Sequence, residues 1–306
     1  MVKASRIKSI TEFHRSRNLP KPEHPLISII DYADLKFSEE ERGQKLSVIF
    51  DYYSISVKRN LNGTLQYGQQ QYDFDEGVMS FVAPNQVFGI EVFKEDVTNQ
   101  SGWILMIHPD FLWNYQLATK IKKYDFFDYA INEALFLSDK EEATINYIVA
   151  NIKQEYHSNI DKFSQDIIIS LIETLLNYAE RFYQRQFITR KITNHQILDR
   201  LEKLLSSYFN SDDLMTKGLP TVQYISAHLN LSPTYLSSLL KSLTGQTAQQ
   251  HIHQKLIEKA KEKLSTSDLS VSEIAYELGF EHLQSFSKLF KAKTKLSPKE
   301  FRKSFN

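Results

Sequence analysis

The last third of this chain contains a degenerate internal repeat, in which segment 222–247 is written again as 271–297. The first copy reads VQYISAHLNLSPTYLSSLLKSLTGQT and the second reads VSEIAYELGFEHLQSFSKLFKAKTKLS. In each copy a short stretch of apolar periodicity stops, turns and restarts, which is the sequence form of a helix-turn-helix. The repeat therefore predicts two such motifs, near 221–247 and 270–297.

Local signals mark where the helices of the repeat stop and start. Gly279 and Asn230 lie where the first helix of each motif is predicted to end, and both residue types take the left-handed conformation that ends a helix. Ser232 and Pro233 supply an N-cap oxygen and a first-turn residue that needs no amide partner. Capping boxes are predicted for the pairs Ser270 with Glu273, Thr247 with Gln250, and Ser297 with Glu300.

A regular spacer separates the two copies. Apolar residues recur every four positions from Ile252 to Leu264, which predicts one helix over Gln249 to Leu264. At about 1.5 Å per residue this helix is roughly 24 Å long. Such a spacer suits two helices that enter major-groove faces ~34 Å apart on one side of a DNA duplex.

The repeat resembles the double helix-turn-helix domain of AraC/XylS-type bacterial transcription regulators. Segment 273–302, EIAYELGFEHLQSFSKLFKAKTKLSPKEFR, is similar to the second-motif signature of that family, and LSPTYLSSLLKSLTGQT is similar to the first. One departure is Lys295, at the position where Gly245 is retained in the first copy. A lysine in a left-handed turn costs on the order of 1 kcal/mol. The resemblance implies a regulator, mostly an activator in this family, that binds double-stranded promoter DNA and works with RNA polymerase.

The candidate DNA-contacting residues are assigned by analogy of position. The groove-facing residues should be those early in the second helix of each motif, so that Gln284 could read adenine and Lys288 could reach guanine acceptors. The alternative is that these side chains are only the solvated face of amphipathic helices. The first motif contributes Thr234, Ser237, Ser238 and Lys241, and the second contributes His282, Leu283, Gln284, Ser287, Lys288 and Lys291.

The charge distribution divides the chain in the same place. From residue 190 to the end there are 17 Lys and Arg against 11 Asp and Glu, whereas residues 1–189 carry 20 against 26. A basic part of net charge +6 joined to an acidic part of −6 is expected when one part meets phosphate. The positive charge is densest at the end, in Lys288, Lys291, Lys293, Lys295, Lys299, Arg302 and Lys303.

The first 112 residues are rich in β-branched and aromatic residues and contain turn signals, which predicts short strands. Many short strands suggest a closed or sandwiched antiparallel sheet. The resemblance implies a cupin-like β-barrel that senses a small molecule, and YDFDEGVMSFVAPNQVF is similar to its central hairpin. The predicted strand segments are Leu26–Tyr32, Leu46–Val57, Leu65–Phe74, Gly77–Phe88 and Gly102–His108.

Aromatic and aliphatic residues of these segments are the candidates for lining an effector pocket. Such a lining suits an apolar or weakly polar molecule better than a sugar phosphate. The alternative is that these side chains simply fill the core, as they do in most small barrels. The candidates are Tyr53, Ile55, Val57, Tyr67, Phe81, Phe88 and Trp103.

Catalytic and metal-binding patterns are not found in the sequence. His14, His24 and His108 lack the His-x-His spacing of a metal-binding cupin. His251 and His253 lie two positions apart on a predicted helix and face different directions. We therefore expect no metal, no cofactor and no enzyme activity. A cupin enzyme fused to a DNA-binding domain and a ligand-independent architectural DNA binder remain as alternatives.

A helical stretch is predicted between the two ends of the chain, beginning near a capping box of Ser138 and Glu141. Its apolar stripe is wide enough to pack on its own domain and also on a second copy, which would form a homodimer. The alternative is intramolecular packing alone. The candidate dimer residues are Ile168, Leu171, Leu175 and Phe182.

The sequence predicts an α+β multidomain chain of 306 residues. We expect a cupin-like barrel in 1–135, a helical linker in 136–190 and an all-α domain with two helix-turn-helix motifs in 191–306. The chain has no cysteine and no apolar run of the ~20 residues that span a bilayer. Its N-terminus lacks a signal-peptide core. The expected location is the cytoplasm of a bacterium, with no membrane partner.

Overall fold

A computed structural model of the chain divides it into two compact units, Met1–Gln186 and Phe187–Asn306. Each unit is described by itself. The structure describes residues 5–36, 38–39, 41–59, 77–91, 101–130, 133–158, 161, 163–189, 191–211 and 213–304.

The N-terminal unit contains two sheets among its described residues, in the orders β1-β3-β6 and β2-β7-β4-β5-β8. The larger sheet is antiparallel throughout, and in the smaller sheet β1 runs parallel to β3. The described strands do not close into the predicted cupin-like barrel. The strands are β1 Ser5–Ile7, β2 Ile27–Asp31, β3 Lys45–Phe50, β4 Tyr53–Arg59, β5 Gly77–Val82, β6 Val87–Glu91, β7 Ser101–Ile107 and β8 Leu135–Leu137.

The strand predictions near β2 and β7 are confirmed, but two of the other predicted segments are each two strands. The chain does not reverse at these interruptions: the pair β3 and β6 continues in the same register as the pair β4 and β5, and both strands bend from one sheet into the other, at Asp51 and Tyr52 and at Pro84 and Asn85. Asn85 has a φ of 68°, the left-handed conformation that a tight turn requires. The predicted strand Leu65–Phe74 lies outside the described residues.

Helices cover part of the larger sheet. The predicted helical stretch forms two helices, α3 and α4. The predicted capping box of Ser138 and Glu141 starts α3, as expected. Tyr183 of α4 stacks on Phe126 with ring centroids 5.6 Å apart and also contacts Phe81 of β5. The helices of this unit are α1 Ile10–Ser16, α2 Leu117–Lys120, α3 Asp139–Tyr156 and α4 Ser164–Thr189, the last of which ends just inside the second unit.

The described part of the C-terminal unit is helical. Its central helix, α9, is 19 residues long and packs on α5, α8, α10 and α12. At about 1.5 Å per residue α9 spans roughly 28 Å, slightly longer than predicted. The helices that begin in this unit are α5 Lys191–Phe209, α6 Asp213–Lys217, α7 Val222–Leu229, α8 Pro233–Thr244, α9 Ala248–Thr266, α10 Val271–Glu277, α11 Leu283–Thr294 and α12 Pro298–Lys303.

The apolar repeat forms the core of the C-terminal unit. Leu236 and Leu240 of α8 are fully buried, and their counterparts Phe286 and Phe290 of α11 are fully buried as well. Burial of one such side chain stabilises a fold by about 1.5–3 kcal/mol. The repeat in the sequence is therefore a repeat in the packing. None of the described helices is long and apolar enough to cross a membrane.

Candidate nucleic-acid interface

The first helix-turn-helix consists of α7 and α8. α7 ends at Asn230, whose φ of 57° and ψ of 43° are left-handed, as predicted. The amide of Leu231 then donates to the carbonyl oxygen of Ser226 at 2.9 Å, which closes the turn. Ser232 caps α8 by accepting a hydrogen bond from the amide of Tyr235 at 3.2 Å. These local bonds set the angle at which α8 leaves the turn.

The second helix-turn-helix consists of α10 and α11, and five residues separate its helices where three separate α7 from α8. Gly279 has a φ of 77°, and a Cβ atom there would lie 2.6 Å from the carbonyl oxygen of Leu214 in α6. Glycine is therefore required both for the backbone angle and for the close approach of α6. The N-cap residue of α11, His282, makes no side-chain cap hydrogen bond, unlike Ser232 in the first motif.

The predicted capping boxes at Thr247, Ser270 and Ser297 are all present. In each box the N-cap hydroxyl accepts a hydrogen bond from the backbone amide of the residue three positions later. The side chain of that later residue accepts a hydrogen bond from the backbone amide of the N-cap residue. Hydrogen bonds from Ser270 and from Ser297 lower the pKa values of Glu273 and Glu300, which stay ionised at the positive ends of their helices. The helix starts predicted from the sequence are confirmed.

The outward face of α8 is mostly hydroxylic. The opposite side of the helix is buried through Tyr235, Leu236, Leu239 and Leu240. Of the predicted contact residues, Lys241 is exposed, whereas Thr234, Ser237 and Ser238 are half-buried. The face offers short hydroxyl groups for hydrogen bonds and one positive charge.

The outward face of α11 carries longer and more basic side chains than that of α8. Gln284, Lys288 and Lys291 are exposed on it, and His282 is exposed at its start, whereas Leu283 and Ser287 are half-buried at its edges. The sequence-based assignment missed Ser285 and Ala292, which are exposed on the same face. Counting at 100° per residue from the buried Phe286 and Phe290 would have included both.

Three lysines of α9 form salt bridges, which the lysines of α11 do not form within the described residues. Lys255, Lys259 and Lys263 of α9 each lie beside a glutamate, and Lys263 is 2.7 Å from Glu277. Within the described part of the chain, no acidic side chain forms a salt bridge with the lysines at the end of the second motif. This exposed basic group is available to an external anion and consists of Lys288, Lys291, Lys293, Lys295 and Lys299.

Arg302 has a different role from that of the lysines around it. It is half-buried, and its Nε donates to the carbonyl oxygen of Leu264 at 3.3 Å. The bond ties α12 to the end of α9. Arg302 therefore supports the fold and is removed from the basic group that could contact phosphate.

Residues 225–304 match a family model described as "Helix-turn-helix domain", which spans both motifs. The domain is of the AraC type. The AraC-type domain accounts for the repeat, because each copy is one of its two helix-turn-helix units. The resemblance stated from segment 273–302 is thereby confirmed.

Several curated proteins are similar to part of this chain. The uncharacterized HTH-type transcriptional regulator YfiF of Bacillus subtilis is 31% identical over 47% of this chain and 42% of its own length. The raffinose operon transcriptional regulatory protein RafR of Pediococcus pentosaceus is 38% identical over 28% of this chain and 30% of its own. An uncharacterized HTH-type regulator of Pseudoalteromonas carrageenovora is 30% identical over 38% and 64%. The chain thus covers less than two thirds of each relative.

The predicted effector-pocket residues of the N-terminal unit form a packed layer. Tyr53, Phe81 and Trp103 are buried, as are Ile55 and Val57. The ring of Phe81 lies 4.4 Å from that of Phe126, and Trp103 Nε1 donates to Asn146 of α3 at 2.8 Å. This face of the sheet packs on helices. The side chain of Phe88 and the whole of Tyr67 lie outside the described residues.

A cavity of about 60 Å³ lies on the opposite face of the same sheet. β4 lines it with Ser54, Ser56 and Lys58, the residues that alternate with Tyr53, Ile55 and Val57. None of the described effector-pocket candidates lines this cavity, because successive side chains of a strand point to opposite faces. Tyr53, Ile55 and Val57 are buried, whereas Ser54 and Lys58 on the cavity face are half-buried.

The predicted dimer stripe is mostly covered by the chain's own N-terminal unit. Ile168, Leu175 and Phe182 are buried, and Leu171 is half-buried. This placement favours the intramolecular alternative for these four residues, and their role in a dimer stays a prediction. No group of three or more His, Cys, Asp or Glu suited to a metal ion occurs among the described residues.

Proposed function

We propose that this chain is a sequence-specific DNA-binding transcription regulator that inserts α8 and α11 into successive major-groove faces. The observation that carries the proposal is the outward face of α11, where Gln284 lies beside exposed lysines that form no salt bridge within the described part of the chain. Lysines of this kind release counterions from DNA phosphates, which supplies most of the affinity of such interfaces. A glutamine amide pairs bidentately with adenine, which supplies specificity.

In this proposal the second motif contributes more base recognition than the first. α11 reads bases through Gln284 and Lys288, with Ser285 added from the structure. α8 contributes hydroxyl groups such as Thr234 and Ser237, which suit hydrogen bonds to phosphate or to bridging water. The inferred site on DNA is therefore two short half-motifs of unequal information content, about one helical turn apart.

The N-terminal unit has the proposed role of a small-molecule sensor that modulates DNA binding. The cavity between its two sheets supports this role over that of a ligand-independent architectural binder, for which no internal space is needed. Regulation of an operon by the RafR relative supports a role in transcription control, and we propose activation through RNA polymerase. The proposal also includes a homodimer in the bacterial cytoplasm.

Selection of bound duplexes from a random library tests the proposal. The full chain should enrich two half-motifs with centres about 10 base pairs apart. The Gln284→Ala variant should relax the preference at one base pair of one half-motif and leave the other half-motif unchanged. Retention of DNA without any enriched motif would favour the architectural binder, and failure to retain DNA would contradict both.

A further inference from the structure

The cavity of the N-terminal unit lies within an apolar cluster to which both sheets and α1 contribute. The lining side chains of this cluster are buried, so most of the wall consists of aliphatic and aromatic groups. Such a wall suits the alkyl part of a small molecule. The apolar lining includes Ile7, Phe13, Val48, Phe50, Ile104 and Met106.

The positively charged side chains of the lining, Arg17 and Lys58, both have contacts within the protein. The guanidinium of Arg17 donates two hydrogen bonds to Glu41, of 2.7 and 2.9 Å. The ammonium of Lys58 lies 5.0 Å from the centre of the Tyr32 ring. Among the described residues, no acidic side chain lines the cavity. Because a buried charge needs an opposite charge as its partner, this lining favours an uncharged ligand.

Tyr52 lines the cavity and carries a hydroxyl that has no hydrogen-bond partner among the described residues. The side chain is fully buried, and its ring stacks on that of Phe50 with centroids 4.9 Å apart. By contrast, the hydroxyls of Ser56 and Ser80, which also line the cavity, lie 2.8 Å apart and bond to each other. Since buried polar groups are normally paired, the hydroxyl of Tyr52 calls for a partner from outside the chain.

The protonation of Tyr52 determines what kind of partner fits. Burial raises the pKa of Tyr52 far above its usual value, so the hydroxyl keeps its proton and remains a donor. A carbonyl oxygen accepts this hydrogen bond and brings no proton of its own. An alcohol would bring a second donor into an apolar wall, where that donor would need a further partner. The site therefore favours a carbonyl group over a hydroxyl.

The volume limits the size of the ligand. A buried water occupies about 10–15 Å³ on this measure, so a cavity of about 60 Å³ holds about four to six heavy atoms. One hydrogen bond to Tyr52 fixes one end of such a molecule. The remaining atoms need only lie against the apolar wall, so the ligand does not have to span the whole lining.

We propose that this cavity binds a small uncharged carbonyl compound, a ketone or aldehyde of about four to six heavy atoms, whose oxygen accepts a hydrogen bond from Tyr52. Its alkyl groups pack on the apolar wall. The inference rests on the proposed sensing role and names the chemical class of the effector.

NMR titration of the methyl groups of the full chain, without DNA, tests this assignment. The probes are acetone, 2-butanone and 2-pentanone. Each is compared with the alkene in which a methylene group replaces the carbonyl oxygen, with the corresponding secondary alcohol, and with butyrate as the charged analogue. At least one ketone should bind one-to-one, at least tenfold more tightly than its three analogues, and should shift the methyl signals of Ile104 and Met106, which line the cavity. Absence of ketone binding, or equal binding of any analogue, would overturn the proposal.

Tyr52→Phe tests the hydrogen bond itself, because it removes the hydroxyl and keeps the ring. The variant should lose the preference for the ketone over its alkene. The matched control is Tyr53→Phe, at a buried tyrosine whose ring contacts Phe127 on the other face of β4, and it should keep the preference. An unchanged preference in Tyr52→Phe would contradict the role of Tyr52.

The stability of the ligand-free chain provides a second readout. Tyr52→Phe should raise the unfolding midpoint of the N-terminal unit, since it removes a buried hydroxyl without a partner. A lower midpoint would mean that an internal water already occupies the place of the ligand's oxygen, against the proposal. DNA binding is measured separately and without ketone. Loss of the ligand assignment with DNA binding retained is thereby distinct from failure of the regulator function.

Discussion

At the scale of single residues, backbone conformation explains why the turns of the repeat carry the residues they do. Asn230, Gly279 and Lys295 all have positive φ, and the first two were predicted from their residue types alone. The close approach of α6, which also requires a glycine at 279, was not predictable. It depends on the carbonyl oxygen of Leu214, which is far away in sequence. Local chemistry is readable from the sequence, whereas a close approach between distant segments is not.

Gly279→Ala should destabilise the C-terminal unit more than Gly245→Ala does. Both glycines have left-handed φ, which costs an alanine about 1–2 kcal/mol. Only Gly279 would also place a Cβ atom 2.6 Å from a backbone atom, whereas nothing lies within 4 Å at Gly245. Urea unfolding followed by circular dichroism should therefore show a larger loss for Gly279→Ala. Equal losses would contradict the packing argument.

Tryptophan fluorescence supplies the internal control for this comparison. Trp103 and Trp113, the two tryptophans of the chain, lie in the N-terminal unit. The fluorescence transition should therefore stay where it is in both glycine variants. A shift in that transition would show that the substitution acts beyond its own unit.

Lys295→Gly should raise stability and lower affinity for DNA at the same time. Glycine relieves about 1 kcal/mol of left-handed strain at a φ of 67°. The same change removes one exposed positive charge beside α11, which should reduce the slope of log affinity against log salt by about 1 if Lys295 meets phosphate. Thermal unfolding and a salt titration of DNA binding measure the two effects, and unchanged stability would refute the strain.

At the scale of helices and strands, predictions succeeded where the signal was local. The capping boxes and turn residues placed α8, α9, α10 and α12 correctly, because each of these helix starts carries its own hydrogen-bonding side chains. The bend at Asp51 and Tyr52, where the strand passes from one sheet into the other, was missed because it contains neither glycine nor proline. β1 and β8 have three residues each, too few for an alternating pattern.

The candidate sites follow the same rule. The outward face of α11 was largely predictable, since a helix that buries Phe286 and Phe290 must expose the opposite side. Tyr53, Ile55 and Val57 lie on the face of β4 opposite the cavity that Ser54, Ser56 and Lys58 line, and their role in ligand binding stays a prediction. The more apolar face of that strand is the fully buried one, so apolarity alone does not indicate which face borders a cavity.

Lys288→Ala should weaken DNA binding, relax the preference at the base pair that Lys288 reads, and reduce the salt slope by about 1 because one positive charge is removed from the interface. The matched control is Lys259→Ala, because Lys259 of α9 is 3.0 Å from Glu262 and its charge is already neutralised. Fluorescence anisotropy over a range of salt concentrations measures both variants. If Lys259→Ala lowered the salt slope as much as Lys288→Ala did, the proposal that α11 contacts DNA phosphates would be contradicted.

The C-terminal unit should lose stability between pH 7.5 and pH 5.5 through two histidines of α9. Burial lowers the pKa values of His251 and His253, and Lys293 lowers that of His253 further. The folded state therefore favours neutral imidazole, whereas the unfolded chain takes up protons near pH 6.5. Their contribution is complete above that pH and is lost as the pH falls toward the lowered values.

Thermal unfolding of the His251→Gln/His253→Gln double variant isolates this contribution. Its midpoint should change less over the same pH interval than that of the unaltered chain. The carboxylates of the capping boxes do not interfere, since the pKa values of Glu273 and Glu300 lie below their usual range. Parallel pH profiles for the two proteins would contradict the assignment to α9.

At the scale of the whole molecule, the chain is neutral in total but consists of two units of opposite charge. Residues from 190 onward carry a net charge of +6 and the rest carry −6. The acidic part has no electrostatic attraction to a duplex, so the AraC-type domain alone should provide the phosphate contacts. DNA affinity should therefore fall steeply with salt even though the chain as a whole has no net charge.

Hydroxyl-radical footprinting of the full chain on a selected duplex, repeated across salt concentration, tests the central claim most directly. The account predicts two protected segments about one helical turn apart on one side of the duplex, both of which weaken as salt rises. Ala at both Gln284 and Lys288 should abolish the segment bound by α11 and spare the other. Protection of one segment only, or protection that the double variant leaves unchanged, would contradict the proposal that both recognition helices read DNA.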